Sequence, residues 1–271
     1  MTIEPGNTEV ERGTSLLVLA RVTGTLPDQG TLVFTPTEGE QPDETRLSLN
    51  RSLNDPVYGA RIAQVNAPLQ YRVELDGEVS PTYQVTVFEY PRLERADALL
   101  SYPSYTGLES RRVQDVRSLS VIEGTTLQLE CQLNKPVPTA ELTEPDQPAI
   151  ALAPVEGNPT LYTALIPTER SRKLTLRLID DAGRANVQSS EIKIQVVPNQ
   201  PATVKPLFPA RDIEASPLEE IDLKATVWDD FGIPRAGVTY SLAGRSPVEA
   251  VLVEQVAGKN RQEMAHSVPL E

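Results

Sequence analysis

The sequence predicts an all-β chain of tandem sandwiches, and three observations predict it. Across 271 residues, 24 Pro and 15 Gly interrupt almost every stretch that could run as a long helix. Between the breaks, Val, Ile, Leu and Thr alternate with polar residues, the period-2 mark of a strand with one buried and one wetted face. One such strand is written three times, over 16–22, 127–133 and 221–227. Its small residue falls at the same place in each copy: Ala20, Cys131 and Ala225.

The elements around the first two copies also correspond. Each is approached through a turn, Val10-Glu11-Arg12-Gly13-Thr14 or Val121-Ile122-Glu123-Gly124-Thr125, in which the Gly supplies positive φ. Downstream, Tyr58-Gly59-Ala60-Arg61-Ile62 matches Tyr162-Thr163-Ala164-Leu165-Ile166. A strand before an Asp-Gly or Asp-Asp-Ala-Gly turn follows, over 71–77 and 176–183. Closing strands at 83–88 and 191–197 then lead to Pro91 and Pro198.

About seven short strands in about 100 residues, with a turn every 8 to 12 or so, is the pattern of an immunoglobulin-like, Greek-key β-sandwich. The small-residue strand is B, the Tyr58 or Tyr162 strand E, the strand before the Asp-Gly turn F, and the closing one G. With Cys131 as the single cysteine, no intramolecular disulfide forms, and buried aliphatic cores must supply the stability. The expected domains are 1–90, 91–198 and 199–271. The third offers strands near 203–208, 219–228, 236–242 and 248–255, and is expected to be an incomplete sandwich, truncated before strands E to G. The joints at Glu89-Tyr90-Pro91-Arg92 and Val197-Pro198-Asn199-Gln200-Pro201 are short and stiffened by proline.

Charge narrows the function. With 25 basic and 38 acidic residues the net charge is −13, and no Lys/Arg cluster is interleaved with aromatics. Nucleic acid and anionic membrane surfaces are thereby disfavoured as partners. No window reaches the roughly 18 apolar residues of a membrane span, so no direct membrane insertion by this segment is expected.

The run Tyr102-Pro103-Ser104-Tyr105-Thr106-Gly107-Leu108, the turn 121–125 and Asn134-Lys135-Pro136-Val137 carry a resemblance. So do Leu178-Ile179-Asp180-Asp181-Ala182-Gly183, Val196-Val197-Pro198-Asn199-Gln200-Pro201 and Asp229-Asp230-Phe231-Gly232-Ile233. Over about 3–245 the chain resembles large, uncharacterised bacterial membrane-anchored envelope proteins with tandem immunoglobulin-like repeats, a domain of unknown function. The resemblance implies a place in the periplasm or at the cell surface, and the incomplete third sandwich implies a fragment of a larger protein. It brings no catalytic residues.

Few residues invite chemistry. His266, the single histidine, is expected in a solvated tail, away from any nucleophile or carboxylate that a triad requires. Cys131 shares its strand face with Leu127, Leu129 and Leu133, where burial raises a thiol pKa and quenches reactivity. The pairs Asp180–Asp181 and Asp229–Asp230 are weak metal candidates: two carboxylates fall short of the roughly six to eight oxygens Ca²⁺ takes, whereas Asp before Gly makes a turn. Trp228 ends its strand beside Asp229, exposed or packed on a neighbouring surface. Tyr102 and Tyr105 are expected to anchor the long segment before strand B, and Tyr71 to form a corner contact that Leu176 does not reproduce.

Taken together, no catalytic residue and no cofactor is expected. The reading is a non-enzymatic structural or interaction array, an extracytoplasmic spacer or protein-binding region whose partner is an unknown protein or envelope component. A Ca²⁺-assisted ligand-binding or adhesion module, and accessory domains of an enzyme whose catalytic region lies elsewhere, are the alternatives.

Overall fold

The computed structural model describes residues 1–24, 26–38, 43–52, 55–216 and 218–270. It is all-β, with a single 3-10 turn over Ser104–Thr106 as the helical element among the described residues. Two compact units form, Met1–Tyr90 and Pro91–Glu271.

The first unit runs β1 (Thr2–Glu4), β2 (Thr8–Glu11), β3 (Leu16–Arg21), β4 (Gly30–Pro36), β5 (Thr45–Ser48), β6 (Asn50–Arg51), β7 (Val57–Ile62), β8 (Leu69–Leu75), β9 (Glu78–Val79) and β10 (Tyr83–Phe88). One sheet has the order β1-β3-β7-β6; the other has β2-β10-β8-β4-β5, with β9 against β8. Alternation decides the inner face: Leu16, Val18 and Ala20 of β3 are buried while Leu17 points to solvent. Against them pack Leu32, Tyr58, Tyr71, Val73 and Val85. Each such aliphatic side chain contributes about 1.5–3 kcal/mol by leaving water.

The chain changes sheets between β1 and β2, where Gly6 takes φ +74°. The Tyr71 hydroxyl donates to the Gly6 carbonyl at 2.9 Å, so β8 holds that crossing in place. Beyond it, β2 pairs in parallel with β10.

In the second unit a sandwich is built from β11 (Leu93–Ser101), β12 (Arg111–Val113), β13 (Ser118–Ile122), β14 (Thr126–Leu133), β15 (Thr139–Thr143), β16 (Ile150–Ala151), β17 (Ala153–Val155), β18 (Asn158–Ile166), β19 (Arg172–Ile179) and β20 (Ser190–Val197). Its sheets have the orders β12-β11-β14-β18-β17 and β13-β20-β19-β15-β16. Leu127, Leu129, Cys131 and Leu133 of β14 are all sealed, facing Leu142, Leu174, Leu176, Leu178 and Ile192. Again the leading strand is split between sheets, with β13 parallel to β20.

The same unit ends in β21 (Thr203–Phe208), β22 (Glu220–Trp228), β23 (Gly232–Tyr240), β24 (Val248–Ala257) and β25 (Gln262–Pro269). β22 lies between β21 and β25, while β23 pairs with β24 in a separate two-stranded sheet. The strand over 262–269 corrects the expectation that no E-type strand follows residue 255. β25 pairs with β22 from Pro269 opposite Glu220 to Gln262 opposite Val227, the place β7 takes on β3 and β18 on β14. Its inward residues are Met264, His266 and Val268, so one alternating position is a histidine that a search for apolar periodicity passes over. F- and G-type strands have no counterpart among the described residues of this part. Accordingly Ile221, Leu223 and Ala225 stay only partly covered, and Val227, Ile233 and Val268 are its buried apolar residues.

Candidate functional site

Cys131 sits in the middle of β14, opposite Ala96 on β11 and Tyr162 on β18, with no exposed surface. Burial, reinforced by the nearby Asp97 carboxylate, pushes its thiol up to about 12. At neutral pH it stays protonated and walled in, which suits packing and not nucleophilic attack.

His266 is the residue the sequence misplaced. It lies within β25 and not in a loose tail, with its ring 5.6 Å from that of Tyr240. Nε2 is buried and has no hydrogen-bond partner among the described residues. A triad requires that nitrogen to meet a nucleophile or a carboxylate. The inward position follows from strand alternation set by β22, its neighbour in the ladder.

The acidic pairs divide their roles. Asp180 directly follows β19 and is buried, with Oδ1 accepting the backbone N–H groups of Ala182 and Arg184 at 3.0 and 2.8 Å. Oδ2 takes Lys135 Nζ at 2.7 Å and Arg184 at 3.4 Å. Burial works to raise its pKa, but the Lys135 and Arg184 hydrogen bonds outweigh burial and hold the carboxyl at about 2. Two cations already neutralise it, and Gly183 follows with φ +77° to close the turn. Asp181 is exposed. Asp229 Oδ1 accepts the N–H groups of Phe231 and Gly232 at 2.8 and 2.9 Å, a second carboxylate-capped turn. Asp230 is half-buried, with an Oδ1 that has no partner among the described residues. Among those residues no group of three or more His, Cys, Asp or Glu is arranged to hold a metal ion.

Lys135 was noticed in the sequence only within a motif, and its part in fixing Asp180 was missed. So were the hydroxyls of Tyr58 and Tyr162. Tyr162 donates to the Val137 carbonyl and accepts the Val137 N–H, both at 2.8 Å, and Tyr58 donates to the Pro27 carbonyl. Each buried tyrosine ties its E-type strand to the loop after the B-type strand. The signal was there, since a Tyr stands at the same position of both strands.

Two concave regions remain. Tyr105 hangs from the 3-10 turn, donates to the Glu123 carbonyl at 3.1 Å and meets Phe231 edge-on at 5.7 Å. With Asn199, Asp229, Ile233 and Gln255 it borders an open pocket of about 430 Å³. Tyr102, by contrast, packs on the second sandwich's core. The other region is a cleft of about 250 Å³ between the last two sheets, lined by Leu223, Ala225, Val238, Leu252 and Met264. Trp228 is partly exposed at the end of β22.

No helix of the described residues is long and apolar enough to cross a membrane. In sequence comparisons the chain matches no protein-family model and no curated protein.

Proposed function

We propose that this chain is a non-enzymatic structural and interaction array of immunoglobulin-like sandwiches, an extracytoplasmic spacer or protein-binding region of a larger bacterial envelope protein. One observation carries the reading: Cys131, Asp180 and Asp229, three of the groups that could do chemistry, are spent on architecture. Cys131 is a core side chain with its thiol raised to about 12, and Asp180 and Asp229 cap turns. The strand orders support the immunoglobulin-like assignment, because a B-type strand between A and E faces a sheet in which F lies between G and C. The location rests on the resemblance, together with an acidic surface suited to a solvated module. An epitope-tagged chain, expressed in its parent protein in a bacterial host, tests the reading. Protease added to spheroplasts should digest the tagged region while leaving a cytoplasmic marker whole. Protection until the inner membrane is lysed would overturn the extracytoplasmic assignment.

A further inference from the structure

In the second sandwich the chain enters on one sheet and leaves on the other, and strand directions set where those two points lie. β11 is antiparallel to β14, and β13 turns back into β14 through Gly124, where Thr125 N–H bonds the Ile122 carbonyl, so β11 and β13 run the same way. β20 is parallel to β13. The chain therefore comes in at the start of β11 and goes out at the end of β20, at opposite ends of the sandwich.

Tension along the chain consequently pulls β11 and β20 lengthwise, in opposite senses. Ladder hydrogen bonds run between strands, so a lengthwise pull loads them together, whereas a pull across one end opens them one at a time. The loaded ladders are long. β11 is held by β14 from Leu93 opposite Leu133 to Ser101 opposite Thr126. β20 is held on both edges, by β13 from Ser118 opposite Lys193 to Ile122 opposite Val197, and by β19 from Arg172 opposite Ile194 to Leu176 opposite Ser190. Two backbone bonds close the ends of the parallel ladder, Lys193 N–H to the Arg117 carbonyl and Glu123 N–H to the Val197 carbonyl, both at 2.9 Å.

The first sandwich repeats the arrangement with a shorter ladder. β2 lies parallel to β10 from Thr8 opposite Val85 to Glu11 opposite Phe88, and Arg12 reaches Glu89 at 2.7 Å just beyond both strands. Only residues 89–92 separate β10 from β11, so the joint has little slack and passes tension into the strands.

We propose a further function: the closed sandwiches bear tension along the chain, with β2 and β13 acting as clamps that keep the exit strands β10 and β20 from sliding. The proposal rests on reading the chain as a spacer and says what that spacer withstands.

The test holds the full chain in optical tweezers through thiol-linked handles on two introduced cysteines, Cys131 being buried. Arg92→Cys with Asn199→Cys pulls the second sandwich lengthwise. Glu123→Cys with Asn199→Cys pulls across one end of the ladder between β13 and β20, where Asn199 N–H meets Glu123 Oε2 at 3.3 Å. At the same constant load, the folded lifetime is expected to be at least about tenfold longer in the lengthwise pair. In that pair Lys193→Pro, which removes the N–H donated to Arg117 from an exposed position, should shorten the lifetime about three- to tenfold. Tyr162→Phe lies on β18, which pairs with neither loaded strand, and should change the lifetime by less than about twofold although it lowers stability in urea. Equal lifetimes in the two pulling directions, or a shortening by Tyr162→Phe as large as by Lys193→Pro, would overturn the proposal. Either result leaves the array reading to be decided by the spheroplast experiment.

Discussion

Leu129 and Leu223 hold the same place in the same alternating strand, yet Leu129 is sealed and Leu223 is only partly covered. Both strands have a neighbour on either edge, so pairing does not distinguish them. What differs is the opposing layer. Over β14 lies a five-stranded sheet, whereas the last part of the chain offers two strands, β23 and β24. Alternation therefore fixes that a segment is a strand and which side faces in, while burial depends on strands far away in sequence that close the second layer.

The largest expected effect sharpens that contrast. Leu129→Ala should destabilise the second sandwich by about 2–5 kcal/mol, because a well-packed site relaxes little around a cavity. Leu223→Ala should cost less than about 1 kcal/mol, since water already reaches that face. Urea unfolding can follow both, with Trp228, the single tryptophan, reporting the last sheets. Equal losses would break the comparison.

A smaller effect should come from the tyrosine caps of the two closed sandwiches. Tyr162→Phe leaves the buried Val137 N–H and carbonyl without the hydroxyl that serves both, at a cost of about 1–3 kcal/mol. Tyr58→Phe removes one hydrogen bond, to Pro27, and should cost less. A larger loss in Tyr58→Phe, by the same urea measurement, would contradict this ranking.

Acid should act on the second sandwich through Asp180. Its carboxyl is held at about 2 against an ordinary 3.8, so the folded state binds its proton less readily than the unfolded chain. The stability this provides is complete above about pH 4 and disappears as pH falls toward about 2. In Asp180→Asn that part of the acid dependence should vanish from melts recorded across the window, and an unchanged slope would show that Asp180 is not its source. The smallest effect is expected from calcium: with Asp229 Oδ1 committed to a turn and Asp180 to two cations, Ca²⁺ and chelator should give superimposable melting curves.

Local features were the legible ones. The B-type strands, the Gly13 and Gly124 turns with φ +82° and +81°, and the burial of Cys131 all follow from spacing and residue type. So do the turn-capping roles of Asp180 and Asp229. Harder to read was β25, whose inward face passes through His266, because a strand can be recruited by its neighbour's ladder without a strong pattern of its own. The crossing of the leading strand from sheet to sheet, ending in the parallel pairs β2 with β10 and β13 with β20, was equally hidden. Parallel partners lie far apart in sequence, and no local signal names them. The Lys135 to Asp180 contact escaped for the same reason, joining residues 45 positions apart.

The most direct test is native-state hydrogen exchange across the three B-type strands of the intact chain. Amides of β3 and β14, each under a complete second layer, should exchange at least about a hundredfold more slowly than those of β22. Protection of β22 equal to that of β14 would contradict the account, since it would mean that alternation and edge pairing suffice without the covering sheet.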